Sequence, residues 1–394
     1  MTPLRLLQLV SVGAVLASAA CSPNPTSGGG ALPLSLASGA SAQERSVRSN
    51  ERPNAAVEYL YVENNNSTIS AYAVASNGAL SELSDSPYDS NTTGPSSYSI
   101  AVDPQGPYLY VTGTESANVA LFNIASNGRL TPGKSSTDAG TGAGFLLFAP
   151  GEKRLYVIDG VNGGSIEAYN VKKATGALKS IPGAPFGVGC PGFCTSNPSS
   201  LVMSGSYMYS VDTYGWYVSA FSVGKNGALT ELSSYATHYG PTDAVMTPKG
   251  GTLYVTNGAS ADISAYSVAE GVLTPLAGSP FAAGGTPLGI AITPNGKHVY
   301  VANSADGTIS GYSVGGGGAL VKVHGSPFSD GSGVSPYALA IDKSGKQLFV
   351  TNSNTNSIAV YAIASSGRIS QIAGSPFPER SGSAGPKGLA LYGP

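Results

Sequence analysis

From residue 57 onward, short apolar runs alternate with clusters of Gly, Pro, Asn and Asp. One stretch shows the pattern well. Gly289-Ile290-Ala291-Ile292 leads to the turn Pro294-Asn295-Gly296-Lys297, then to Val299-Tyr300-Val301-Ala302-Asn303 and to Ile309-Ser310-Gly311-Tyr312-Ser313-Val314. Runs of four to six residues, apolar or alternating and bounded by turn formers, predict strands joined by tight hairpins. No helical period follows the N-terminal segment.

The pattern recurs. Its aromatic strand appears at Leu60-Tyr61-Val62, Leu109-Tyr110-Val111, Leu155-Tyr156-Val157, Met208-Tyr209-Ser210, Leu253-Tyr254-Val255, Val299-Tyr300-Val301 and Leu348-Phe349-Val350. Seven units with a period of about 45 to 53 residues, each holding about four short strands, predict an all-β, seven-bladed propeller of four-stranded blades. A solenoid would need distinct caps at both ends, and none is visible. The first unit lacks a strand of the Ile-Ala-Ile type before Tyr59. The last unit is followed by Pro386-Lys387-Gly388-Leu389-Ala390-Leu391, which is of that type. The C-terminal strand is therefore expected to sit innermost in the N-terminal blade and to close the ring, leaving no exposed edge.

The second strand at Tyr254-Val255-Thr256-Asn257 resembles those of the YVTN-type propellers. The array over 57–394, with its Pro-x-Gly-Lys turns, is similar to the lactonase family of seven-bladed propellers that includes 6-phosphogluconolactonase. The resemblance implies a lactone hydrolase with His-Pro-His at the start of a channel strand and further Arg, Glu and His around it. This chain departs from that pattern: Ser199, Thr242, Leu288, Tyr337 and Lys387 follow the strand-entry prolines. Propellers also host many unrelated activities.

Composition bounds the function. Hydrophobic residues make up 41% of the 394, charged residues 11%, and the net charge is −2. The apolar share supports a core, and nothing suggests nucleic-acid binding, since no basic stripe exists. At the N-terminus Arg5 precedes the apolar stretch 6–17, and Ser18-Ala19-Ala20 precede Cys21. This order reads as a signal peptide over 1–20, too short to span a membrane. Cys21 then sits where a lipobox cysteine is lipidated, although Ser18 occupies the position that lipoboxes fill with Leu; ordinary cleavage after Ala20 is the alternative. Residues 21–55, with Gly, Ser and Ala and few large apolar groups, read as a tether ahead of the propeller at 56–394. Export to the cell envelope is expected, in the periplasm or as an outer-membrane lipoprotein, or else release from the cell. The only membrane contact expected is the lipid anchor. Cys190 and Cys194, in Cys-Pro-Gly-Phe-Cys, fit a loop-pinning disulfide in that compartment better than a redox pair, which has two intervening residues.

The tight turns mark one face of the ring as plain hairpin chemistry. A site is expected on the other, where longer loops surround the channel mouth. Ring opening of a lactone needs a base for water and a group to hold the oxyanion. The chain has 3 His, and only His238 lies near a channel entrance. With Asp243 and Lys387 it forms a minimal candidate catalytic group; a loop histidine beside a solvated carboxylate is the plainer reading. A second candidate is aromatic: Tyr214, Trp216 and Tyr217 on one turn, Tyr235 and Tyr239 on the neighbouring loop, and Tyr337 at the channel. Such rings suit stacking on sugars or peptide side chains, and equally suit packing between blades four and five. Gly-Ser-Pro-Phe at 278–281, 325–328 and 374–377 recurs too often to be a site and reads as an aromatic wedge after a Pro-fixed turn. No phosphate loop, nucleophile elbow, zinc spacing or EF-hand occurs. No cofactor or metal is expected, with only weak calcium binding left open at carboxylates such as Asp306.

Two readings follow: a monomeric envelope propeller that binds a glycan or protein through its long-loop face, or a lactone hydrolase acting on a small lactone at the channel mouth. The missing His-Pro-His and the scarcity of titratable side chains favour the first.

Overall fold

The computed structural model describes residues 58–393, apart from 93–98, 114, 135, 141, 152, 161–163, 190–195, 332 and 381–384. The expectations for the signal peptide, Cys21, the tether, Cys190 and Cys194 therefore lie outside the described residues.

Seven antiparallel sheets form seven blades, numbered here in chain order. Blade five is representative. Its innermost strand is Pro241–Met246, followed by Thr252–Asn257, Asp262–Ala269 and the outer strand Val272–Pro275. The second strands are buried along almost their whole length, as Thr252–Asn257 illustrates, which is why they read as continuous apolar runs rather than alternating ones. Innermost strands contact their neighbours around the complete circle. Ring closure follows the sequence expectation: Pro386–Tyr392 pairs antiparallel with Glu58–Asn64, with Leu60 opposite Leu391 and Val62 opposite Leu389.

The core consists of clusters shared between adjacent blades. Tyr254, Ile263 and Ala265 of blade five pack on Ile290, Val299 and Tyr312 of blade six. Leu60, Val62 and Tyr72 of blade one pack on Phe349, Ile358 and Val360 of blade seven. Burying apolar area between sheets, at about 25 cal/mol per Å², is thus what holds the ring together.

The repeated tyrosine adds a directed bond to this packing. The hydroxyls of Tyr61, Tyr110, Tyr156, Tyr254 and Tyr300 donate to the carbonyls of Gly128, Gly176, Gly227, Gly318 and Gly367, at 2.6 to 2.9 Å. Each acceptor lies in the turn before the outer strand of the next blade, so every such bond ties one blade to its successor. Two junctions differ. Phe349 has no hydroxyl, and Gln347 instead donates to the Ser76 carbonyl at 2.9 Å. The Tyr209 hydroxyl is buried with no hydrogen-bond partner.

The Gly-Ser-Pro-Phe segments take the structural part that their repetition suggested. Phe281, Phe328 and Phe377 pack into the clusters between successive blades. The preceding Ser279, Ser326 and Ser375 hydroxyls accept backbone N–H groups of the third strands at 2.8 to 2.9 Å.

A cavity at the entrance of the innermost strands

Each innermost strand of blades three to seven carries a register irregularity just after it begins, for instance between Pro241 and Asp243 and between Pro287 and Ile290. A bulge places an extra residue opposite one partner and re-aims its side chain. These entries surround a cavity of about 470 Å³ at the mouth of the channel. Its walls include Gly144 and Phe145 of blade three, Ser199 of blade four, Leu288 of blade six and Tyr337 of blade seven. Three of the residues that follow the entry prolines, Ser199, Leu288 and Tyr337, thus line one space, and Thr242 of blade five joins them. Asn197, Gly160 and Thr213 complete the polar side and were not legible as site residues.

Asp243 is the one ionisable side chain of the cavity besides the Tyr337 phenol, among the described residues. Its Oδ1 accepts the Ser200 hydroxyl at 2.7 Å and the Ala244 N–H at 2.8 Å. Its Oδ2 accepts the Ile290 N–H at 3.2 Å. Burial pushes its carboxyl up to about 6, and those three hydrogen bonds oppose part of the rise. Thr242 is engaged as well: its hydroxyl lies 2.9 Å from the Pro287 carbonyl and 2.9 Å from Thr256 Oγ1. Thr256 in turn bonds the Asp243 and Leu288 carbonyls, so the threonine of the Tyr-Val-Thr-Asn strand pins its own bulge and the next blade's.

The group His238, Asp243 and Lys387 is not assembled. His238 Nδ1 lies 2.8 Å from Asp262 Oδ2, a carboxylate at the start of the third strand of blade five, and the imidazole is half exposed. Lys387 Nζ rests 4.1 Å from the centroid of the Tyr337 ring, and burial pulls its ammonium below the usual lysine range. Asp243 has the three partners above, and neither of these.

The aromatic residues divide. Tyr217 is buried, with its hydroxyl 3.3 Å from Asp212 Oδ2. Tyr235 packs in the cluster between blades four and five. Both take part in blade packing, the other reading that the sequence left open for them. Tyr214, Trp216 and Tyr239 are exposed, and Tyr337 lines the cavity. No cluster of three or more His, Cys, Asp or Glu side chains suited to a metal occurs among the described residues.

Fold and cavity together define a closed seven-bladed propeller with a ligand-sized recess at one end of its channel. Comparison with known proteins agrees with the likeness that the repeats imply. The family described as lactonase, seven-bladed beta-propeller, matches residues 239–380. A 6-phosphogluconolactonase of Erwinia tasmaniensis is 22% identical over 202 residues, which are 50% of this chain and 60% of that protein. The chain thus spans less than two thirds of the curated relative that it matches. The periplasmic gluconolactonase of Pseudomonas aeruginosa superposes with a TM-score of 0.71 at 17% identity, covering 86% of this chain and 99% of that one. A protein from Lactobacillus plantarum gives 0.69 at 17% identity, covering 85% and 99%. At such identities the structural likeness concerns the fold.

Proposed function

We propose that this chain is a lactonase-like propeller that binds a small, uncharged, ring-shaped molecule of sugar-lactone size in the cavity at the channel mouth. The observation that carries the reading is the makeup of that cavity. It is large enough for one such molecule, mostly apolar, and edged by hydroxyl and amide groups. Its one carboxyl already accepts three hydrogen bonds. A phosphorylated lactone would bring negative charge into a space whose described walls hold a carboxyl and no cation, an arrangement that burial penalises. A neutral ring meets no such penalty.

Hydrolysis is the second reading, favoured by the match over residues 239–380. Water activation would fall to Asp243, the only described carboxyl of the cavity, which would have to give up one of its present bonds to act as a base.

The test measures binding and turnover together. The 50–394 chain is titrated with neutral aldonolactones, the matching aldonates and 6-phosphogluconolactone, while acid release is followed. Gly144→Leu is the control, since a Cβ there meets nothing closer than 3.7 Å and the longer side chain fills the recess. Binding of neutral lactones that Gly144→Leu abolishes supports the reading, and turnover lost in Asp243→Asn adds the hydrolase. No binding of any compound sinks both.

The reading includes export and anchoring through Cys21. Its separate test is incorporation of labelled palmitate, which Cys21→Ala should remove.

A further inference from the structure

In all seven blades the turn between the second and third strands ends on a residue with positive φ. That residue is Ser67, Ala117, Gly164, Ala261, Gly307 or Asn356 in six of them. These are small residues or ones that tolerate a left-handed backbone. In blade four that position is Trp216, at φ 58°. A bulky side chain in this conformation is an outlier, and such outliers gather at ligand contacts.

The turn is held firmly. Asp212 accepts the Trp216 N–H at its carbonyl, at 3.1 Å, and the Gly215 N–H at Oδ1, at 2.6 Å. The Trp216 carbonyl accepts the Thr237 N–H at 2.9 Å. That bond joins the turn to the segment 237–240, whose Tyr239 is fixed by its own N–H on Ser260 Oγ at 2.9 Å. The result is an edge-to-face pair: the rings of Trp216 and Tyr239 are 4.5 Å apart at 85°. Trp216 keeps 47% and Tyr239 60% of their surface exposed, and Tyr214, on the same turn, keeps 64%. Large aromatics fixed by backbone bonds and left in water form a prepared contact surface rather than unfinished packing. Beside Tyr239 in the chain stands His238, oriented by Asp262, with its second ring nitrogen available as a polar partner.

We infer that Trp216 and Tyr239 form a carbohydrate platform on the rim between blades four and five, separate from the channel cavity. Two rings at right angles offer one flat face and one edge. A pyranose meets them with its C–H face, and its hydroxyls find the imidazole of His238 and the phenols of Tyr239 and Tyr214. The occupant is a neutral oligosaccharide: the turn 213–217 carries no charged side chain of its own, and the Asp212 carboxylate that precedes it is taken up by the Gly215 N–H and by the Ser196 and Tyr217 hydroxyls. Its recognition depends on stacking, not on charge, and so resists salt.

Trp216 is the only tryptophan of the chain, so excitation at the red edge of the indole band reports on this site alone. The experiment titrates the 50–394 chain with cellohexaose, laminarihexaose, xylohexaose and mannohexaose, with a Phe- and Tyr-containing hexapeptide as the competing class. A saturable emission change with at least one saccharide is expected. Tyr239→Ala should weaken it by about tenfold, 0.5 M NaCl should leave it unchanged, and Gly144→Leu should leave it unchanged. Calorimetry on Trp216→Phe, which keeps a ring, should retain binding where Trp216→Ala loses it. The inference is overturned by no response to any saccharide from protein with an intact melting transition. It is equally overturned by a response to the peptide alone, or by concentration-dependent self-association that Trp216→Ala removes.

Discussion

Ser200 Oγ lies 2.7 Å from Asp243 Oδ1, so side chains join innermost strands that belong to two separate sheets. The other oxygen of the same carboxyl reaches the backbone of Ile290 in blade six. One residue therefore braces three blades around the cavity. Asp243→Ala leaves the Ser200 hydroxyl and two backbone N–H groups without an acceptor. The expected cost is about 2–4 kcal/mol, read as a drop in the urea midpoint at unchanged slope. A loss below about 0.5 kcal/mol would mean that water takes over the acceptors and that the brace is dispensable.

The tyrosine bonds give a paired test in one background. Tyr254→Phe removes a hydroxyl that donates to Gly318 at 2.7 Å and should cost about 1 kcal/mol. Tyr209→Phe removes a buried hydroxyl with no hydrogen-bond partner and should be neutral or stabilising. Equal losses in chemical denaturation would show that the bonds contribute nothing beyond ring packing.

Two buried carboxyls, Asp330 and Glu379, and the partly buried Asp243 of the cavity set a pH dependence. Burial raises Asp243 and Asp330 to about 6 and Glu379 to about 7. Each therefore holds its proton more tightly folded than unfolded. Between the unfolded and folded values the native state binds more protons, so stability falls as pH rises and is lowest once all three are ionised. Acidification from pH 7.5 to 5 should stabilise the propeller, by roughly 1 kcal/mol each for Asp243 and Asp330 and roughly 2 kcal/mol for Glu379. Glu379→Gln should flatten the upper part of that profile. Weaker resistance to urea at pH 5 than at pH 7.5 would contradict the assignment.

Removal of residues 386–393 takes the innermost strand from blade one and uncovers Leu60 and Val62, both fully buried in the closed ring. It also exposes a strand edge. The net stability of an ordinary domain is only about 5–15 kcal/mol, so the shortened chain, without this strand's ladder and packing, should show no cooperative melting transition. A transition of the wild-type kind would mean that the ring holds without its clasp.

Much of this architecture could be read from the chain because it is written seven times. Tyr61, Tyr110, Tyr156, Tyr209, Tyr254 and Tyr300, with Phe349, mark the second strands, and the unmatched strand at 386–391 announced the closure. The site was less legible because its partners are distant in sequence. His238 and Asp243 are near neighbours along the chain, yet Asp262 takes the imidazole from the next turn, and the bulge after Pro241 commits Asp243 to Ser200 and Ile290. Period-two alternation could have separated Tyr217, which starts a strand and faces inward, from Trp216 beside it. Ser199, Leu288 and Tyr337 were recognisable as strand-entry residues, but that they share one cavity depends on ring geometry. Asn197 and Thr213 carried no signal at all.

The five tyrosine bonds run in one direction, each from a blade to the blade that follows it, and Tyr59 pairs with Tyr392 so that the ends of the described chain are neighbours. Nothing in this arrangement gives blade one a privileged place. A circular permutant that links residue 392 to residue 58 and opens the turn at 249–251 would retain every one of the five hydroxyl–carbonyl bonds. It would also make blade five the blade completed by both termini. The order of blades along the gene is thus a matter of bookkeeping for this ring, and the cavity and the aromatic rim travel with it unchanged.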